Sequence, residues 1–205
     1  MEITKYKKYS KDELISRLRK VTLLSNSKTK NHIYVYKDAK IEIGLLSVPS
    51  IMPSQFYYLE DPLVKVGNIQ KALKKANFDL FKLDGFIEYR TNESDTTYDL
   101  MPIVIEYQSE KDGSINPIIV DGIHRVILAR NQNLKKIQVV KISNVHKDYP
   151  YPGYVNPKGW RQVKPMLVAP EPKYKRPWRF PIDVAYNYYR DFNSAFENVG
   201  KPRTY

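Results

Sequence analysis

The sequence predicts a mixed α/β fold, on three observations. Apolar, β-type runs alternate with amphipathic helical patterns through the middle of the chain. Residues 101–143 read strand, turn, strand, sharp turn, helix, strand without a break. With 42% hydrophobic and 27% charged residues, the 205-residue chain has the make-up of a protein that buries a core. Three segments follow: a basic helical extension over 1–30, a compact domain with a small mixed sheet over 31–147, and a Pro/Tyr-rich basic arm with a terminal helix over 148–205.

Ser10 followed by Glu13 forms a capping box, and Leu14, Ile15, Leu18, Val21 and Leu24 recur at helical spacing, which predicts a helix over about 10–24. SNSKTKN is a polar loop. HIYVY and KIEIGLLSV read as strands about a tight turn at Lys37–Ala39. Pro49 and Pro53 bracket a loop, and NIQKALKKANF is a short amphipathic helix with Asn68 as its cap. Strand character flanks a polar loop at 91–97. MPIVIEYQ, INPIIV, the helix GIHRVILARNQN and the strand KKIQVVKI follow. From 148 onward the prolines exclude long helices and ladders, which predicts an irregular arm, and DVAYNYYRDFNSAFENV forms a final helix.

Composition narrows the function. The formal net charge is +12, and the excess sits in residues 1–30 and 158–179. Such blocks attract a polyanion or steer a phosphorylated ligand, and they also suit a solvated lysine-rich surface. The absence of cysteine excludes disulfides, thiolate metal sites and thiol catalysis. No apolar run spans a bilayer, and the first residues lack the apolar core of a secretory signal, so a cytoplasmic protein is expected. Walker A, GxGxxG, HExxH and G-x-S-x-G patterns do not occur, and the three histidines are too dispersed for a zinc site.

The turn Asp121-Gly122-Ile123-His124-Arg125 carries the chemistry. It lies between an apolar strand and a helix start, where unpaired N–H groups and the helix dipole attract anions. Gly122 permits close approach of a phosphate to the backbone. His124 and Arg125 oppose the dipole, a penalty that a bound phosphate reverses, and arginine's fork matches phosphate oxygens. Asp121 is placed to orient the arginine, hold a substrate hydroxyl or bind Mg²⁺, and also to act as a plain N-cap. Glu60 and Asp61, before Pro62, are paired carboxylates suited to a base and a Mg²⁺ ligand, or to a solvated loop. In the arm, Tyr151, Tyr154, Trp160, Tyr174 and Trp178 interleave with Lys158, Arg161, Lys164, Lys173, Lys175, Arg176 and Arg179. Aromatics among cations stack bases of a single strand, or wrap the domain with rings inward.

These motifs resemble the ParB/sulfiredoxin-like superfamily. MPIVIEY is similar to a strand that reads P-I-x-V there, and INPIIVDGIHRVILARNQNLKKIQVVKI resembles the second box of these proteins. The match is best to free serine kinases, whose box reads V-D-G-H-H-R: Val120, Asp121, Gly122, His124 and Arg125 match and Ile123 fills the variable position. The resemblance covers roughly residues 45–145. It implies that His124, Arg125 and nearby backbone amides, with Gly122 and Ile123 in the same turn, contact the phosphates of ATP or ADP; Asp121, from its own place at the strand end, then orients the acceptor or binds Mg²⁺. Sulfiredoxin chemistry is excluded, because Ile123 stands where the cysteine is required. Alignment on Pro53 places Gln55 where the kinases carry their catalytic glutamate, and Glu60 takes that role if the loop is five residues longer. The resemblance thus implies a nucleotide-dependent phosphotransferase acting on a small hydroxyl-bearing acceptor. The alternatives are a ParB-like DNA-binding or nuclease module with Arg161, Lys164, Lys173, Lys175, Arg176 and Arg179 on nucleic acid, and a nucleotide sensor without catalysis.

Overall fold

The computed structural model describes residues 1–24 and 32–199, so the loop SNSKTKN lies outside the described residues. Strand β1 (Ile3–Tyr9) precedes helix α1 (Lys11–Leu18), and the short β2 (Thr22–Leu23) follows. Then come β3 (Lys40–Ser47), β4 (Tyr57–Leu59), α2 (Glu60–Lys75), β5 (Phe86–Thr91), β6 (Ser94–Leu100), β7 (Ile103–Ser109) and β8 (Ile115–Asp121). Helix α3 (Ile123–Asn131), β9 (Lys136–Ser143), β10 (Lys164–Met166), the single turn α4 (Ile182–Ala185) and β11 (Arg190–Asp191) complete the order.

A four-stranded mixed sheet, β3-β9-β7-β8, is the centre of the molecule. β7 runs parallel to β9 and antiparallel to β8, and β3 is antiparallel to β9. Successive side chains leave a strand on opposite faces, so one strand feeds two cores. Ile103 and Ile105 of β7, Ile119 of β8 and Ile137 and Val139 of β9 join Leu73 of α2 and Val126 and Ala129 of α3. Val104, Ile118, Val120, Val140 and Ile142 meet α1 and the aromatics of the C-terminal arm on the other face. Each such fully buried aliphatic side chain contributes about 1.5–3 kcal/mol. A second antiparallel sheet, β1-β5-β6, lies at one side.

Several elements differ from the sequence expectations. The Ser10–Glu13 capping box forms, but α1 stops at Leu18, and Val21 and Leu24 reach the core from beyond its end. The lysine-rich start forms the edge strand β1, its charges facing solvent as edge strands favour. HIYVY is not a strand: it makes one bridge, Tyr34 to Thr22, and then turns. α2 begins at Glu60, not at Asn68, because Glu60 and Asp61 complement the dipole of its first turn and Pro62 is tolerated there. The expected final helix is replaced by short turns and β11, since Tyr186, Tyr189, Phe192 and Phe196 all turn into the core around Arg190. Among the described residues, no helix is long and apolar enough to cross a membrane.

The arm wraps the domain. Tyr151 and the aromatics from 186 to 196 join the sheet core. Arg190 is fully buried and holds both oxygens of the equally buried Glu106 on β7, Nε to Oε1 at 2.7 Å and Nη2 to Oε2 at 2.8 Å. Tyr36 Oη donates to Glu106 Oε1, and Gln108 Nε2 donates to Oε2 at 2.8 Å. The remaining Arg190 donors reach the carbonyls of Tyr188 and Tyr149 at 2.7 and 2.9 Å. Burial and the Glu106 charge push the Tyr36 phenol well above its ordinary value. A buried ion pair is tolerable only when its other valences are met, and here they are.

Candidate functional site

β8 ends at Asp121, and the chain turns into α3 through Gly122, whose φ of 94° is left-handed. A Cβ here would lie 2.9 Å from Arg125 Nη2 and 3.0 Å from Ile103 Cγ1. Arg125 explains this closeness. Its guanidinium turns inward, where Nη2 donates to Asp121 Oδ2 at 2.6 Å and Nη1 donates to the Met101 carbonyl. The fork expected to face phosphate instead ties the start of β7 to the end of β8. Gly122 makes room for it. Ile123 packs half-buried against the helix-side core.

His124 points differently. Its Nε2 accepts the Leu59 N–H at 3.3 Å, and burial holds its pKa below the ordinary value. Leu59 is the N-cap of α2, so this bond brings the first turns of α2 and α3 together. Neither N-cap supplies a side-chain hydrogen bond, which leaves the early N–H donors of both helices to other partners. Glu60 and Asp61 are exposed in the first turn of α2, one and two residues from the bond to His124. Gln55 is elsewhere, with its carbonyl accepting from Asn156 Nδ2 of the arm at 3.2 Å. Of the two glutamate candidates, only Glu60 adjoins the turn. No group of three or more His, Cys, Asp or Glu side chains among the described residues is arranged to hold a metal ion, and Asp121 Oδ2 is engaged by Arg125.

The six basic residues of the arm divide. Arg161, Lys164 and Lys173 are exposed. Lys175 Nζ donates to Tyr186 Oη at 3.3 Å. Arg179 donates to the carbonyls of Tyr151 and Ser109 at 3.1 and 2.9 Å and lies over the Tyr154 ring. Arg176 is buried, donating to Tyr151 Oη at 2.7 Å and Ser54 Oγ at 3.2 Å amid three aromatic rings. It is a structural cation, out of reach of any nucleic acid.

One feature escaped the sequence reading. A cleft of about 150 Å³ opens beside α3, lined by Tyr58, Ile127, Arg130, Asn131, Trp160 and Val163. The Arg130 guanidinium lies 4.6 Å from the Trp160 ring centre, and the indole Nε1 donates to the Ile51 carbonyl at 2.8 Å. Arg130 sits in the helix and Trp160 in the arm, and no motif links them across 30 positions.

No curated protein matches the chain. Two solved structures of pNOB8-like ParB N-domains align with it. One has 8% identity and a TM-score of 0.27 over 55% of this chain and 33% of that one. The other has 11% identity and a TM-score of 0.25 over 54% and 31%. The chain therefore spans about a third of the length of each. The model of the ParB CE domain matches residues 13–164, a stretch that takes in the four-stranded sheet, the Asp121–Arg125 turn, both helices that meet at His124 and the cleft. On that match, the chain belongs to the ParB CE domain family.

Proposed function

We propose that this ParB-like module binds the phosphates of a nucleotide where the first turns of α2 and α3 meet. The observation that carries this reading is the hydrogen bond from Leu59 N–H to His124 Nε2, which converges two helix starts that lack side-chain caps. Converging dipole ends and free N–H donors favour an anion. The phosphate partners are then the backbone of 123–125 and the His124 edge, while Arg125 and Asp121 hold the turn in shape. Mg²⁺ enters only as the ion that travels with ATP or ADP.

The finer reading is transfer of the terminal phosphoryl group to a small hydroxyl-bearing acceptor. The hydroxyl oxygen attacks the terminal phosphorus, its proton passes to the Glu60 carboxylate, and the nucleotide leaves one phosphate shorter, ATP as ADP and ADP as AMP. Exposure of Glu60 beside the turn supports this role. The test is calorimetric titration with ATP and ADP in Mg²⁺, alongside phosphate-release and transfer assays. Nucleotide is expected to bind and to raise the melting temperature, His124→Ala to weaken binding, and Glu60→Gln to bind normally without turnover. No heat and no thermal shift at millimolar nucleotide would discard the reading.

A second reading, a nucleic-acid-binding or nuclease module, is favoured by the exposure of Arg161, Lys164 and Lys173. It requires binding that falls steeply with salt.

A further inference from the structure

We infer that the cleft between α3 and the arm is a stacking site for one base of a single-stranded nucleic acid, with its neighbouring phosphates on Arg130, Arg161 and Lys164. Four observations converge. The cleft, at about 150 Å³, is of the order of a single planar heterocycle, and its walls combine Tyr58 and Trp160 with Ile127 and Val163. Its indole is fixed at its edge by the bond to Ile51, so the ring is held before any ligand arrives. The Arg130 guanidinium covers one face of the indole and joins no ion pair among the described residues. A base takes that face only as the guanidinium swings from the ring to the adjoining phosphate, exchanging a cation on the ring for a base on it. Arg161 and Lys164 follow Trp160 and Val163 directly in the chain, and both side chains are exposed.

The occupant is a nucleic acid because charge and shape agree. The chain carries a net charge of +12, and the cleft has aromatic walls with no acidic residue among them. A single strand is specified because a paired base keeps its faces inside the duplex stack, whereas an unpaired base offers a face to the ring. Asn131 at the rim offers both a donor and an acceptor to a base edge. The site rests on the nucleic-acid reading, which it narrows to an unpaired base, and not on nucleotide binding at His124, since those two use different side chains.

The test is fluorescence anisotropy of labelled oligothymidylate of about ten nucleotides, a length in the range such sites cover, with full-length protein. A duplex of the same length is run in parallel. Tight single-strand binding is expected, with weaker duplex binding. Arg130→Gln and Trp160→Ala should each weaken it by about fivefold or more, the scale of one lost base stack. Trp160→Phe keeps an aromatic face and should retain most of the affinity, which separates stacking from simple loss of fold. Lys7→Gln removes one exposed charge on strand β1, which contributes nothing to the cleft lining, and should have little effect. His124→Ala should leave oligonucleotide binding intact, so failure of the nucleotide reading stays distinguishable. Equal losses from Lys7→Gln and Arg130→Gln, duplex binding as tight as single-strand binding, or no binding at low salt would each overturn the inference.

Discussion

His124 joins two helices through a bond that only an unprotonated Nε2 can accept. Burial lowers its pKa from the ordinary 6.5, so the unfolded chain takes up a proton at higher pH than the folded one. In the interval below 6.5 the unfolded state then holds more protons, and stability rises with pH there and is lost as pH falls. Denaturation in urea between about pH 7.5 and about pH 5 should show this loss in the native chain. Asp99 and Glu110, pushed upward by burial, act with the opposite sign, so the comparison is between variants. His124→Gln retains an acceptor without the titration and should flatten the difference. Superimposable pH profiles would remove His124 as the source. Gly122 gives a second prediction. Alanine there meets both a left-handed φ of 94° and the Arg125 guanidinium. Gly122→Ala should cost at least about 1–3 kcal/mol from the backbone alone, read as a lower urea midpoint. The sequence marked Asp121, Gly122 and Arg125 as a unit. It did not reveal that the arginine turns inward, because its second partner is a carbonyl at Met101, far off in the chain.

At the scale of elements, local chemistry was legible wherever it was satisfied locally. The Ser10 capping box closes within four residues, and the hairpin and crossover of 103–143 follow directly from apolar alternation. The start of α2 is also written in the chain, as an acidic pair and a proline in one turn, but the same residues suit a solvated loop or a catalytic pair equally well. The extent of α1 and the shape of residues 182–196 were not legible, since they are set by contacts with the sheet rather than by period. The Asp121–Arg125 pair shows how such a contact fixes an element. It bridges the end of β8 and the first turn of α3, sits largely out of solvent, and shares its arginine with the start of β7. Arg125→Met leaves Asp121 uncompensated and the Met101 carbonyl unpaired, at a cost of about 2–4 kcal/mol. Adding Asp121→Asn should return part of that loss, giving a coupling of about 1 kcal/mol or more in a double-mutant cycle. Strictly additive losses would show that the two side chains act independently and that the turn is held by packing alone.

The whole molecule depends on the arm from residue 148 onward in a way the charge pattern did not suggest. The arm supplies Tyr151, Tyr186, Tyr189, Phe192 and Phe196 to one face of the sheet, and it carries the cation that neutralises Glu106 at the centre of β7. Without Arg190, a carboxylate with no exposure would face only the Tyr36 hydroxyl and the Gln108 amide. Breaking a buried pair from one side costs about 3–5 kcal/mol, a large part of the stability of a chain this size. Arg190→Met should therefore lower the urea midpoint sharply and expose the arm to limited proteolysis near residue 148. Pairing it with Glu106→Leu, which removes the orphaned charge, should restore much of the stability without restoring the tie between arm and sheet. A chain ending at residue 147 loses both the charge partner and the aromatic cover. It should lack a cooperative unfolding transition and bind a dye that reports exposed apolar surface. If that shorter chain melts cooperatively near the temperature of the full one, residues 1–147 form an independent unit, and the arm is an attachment to it rather than half of its core.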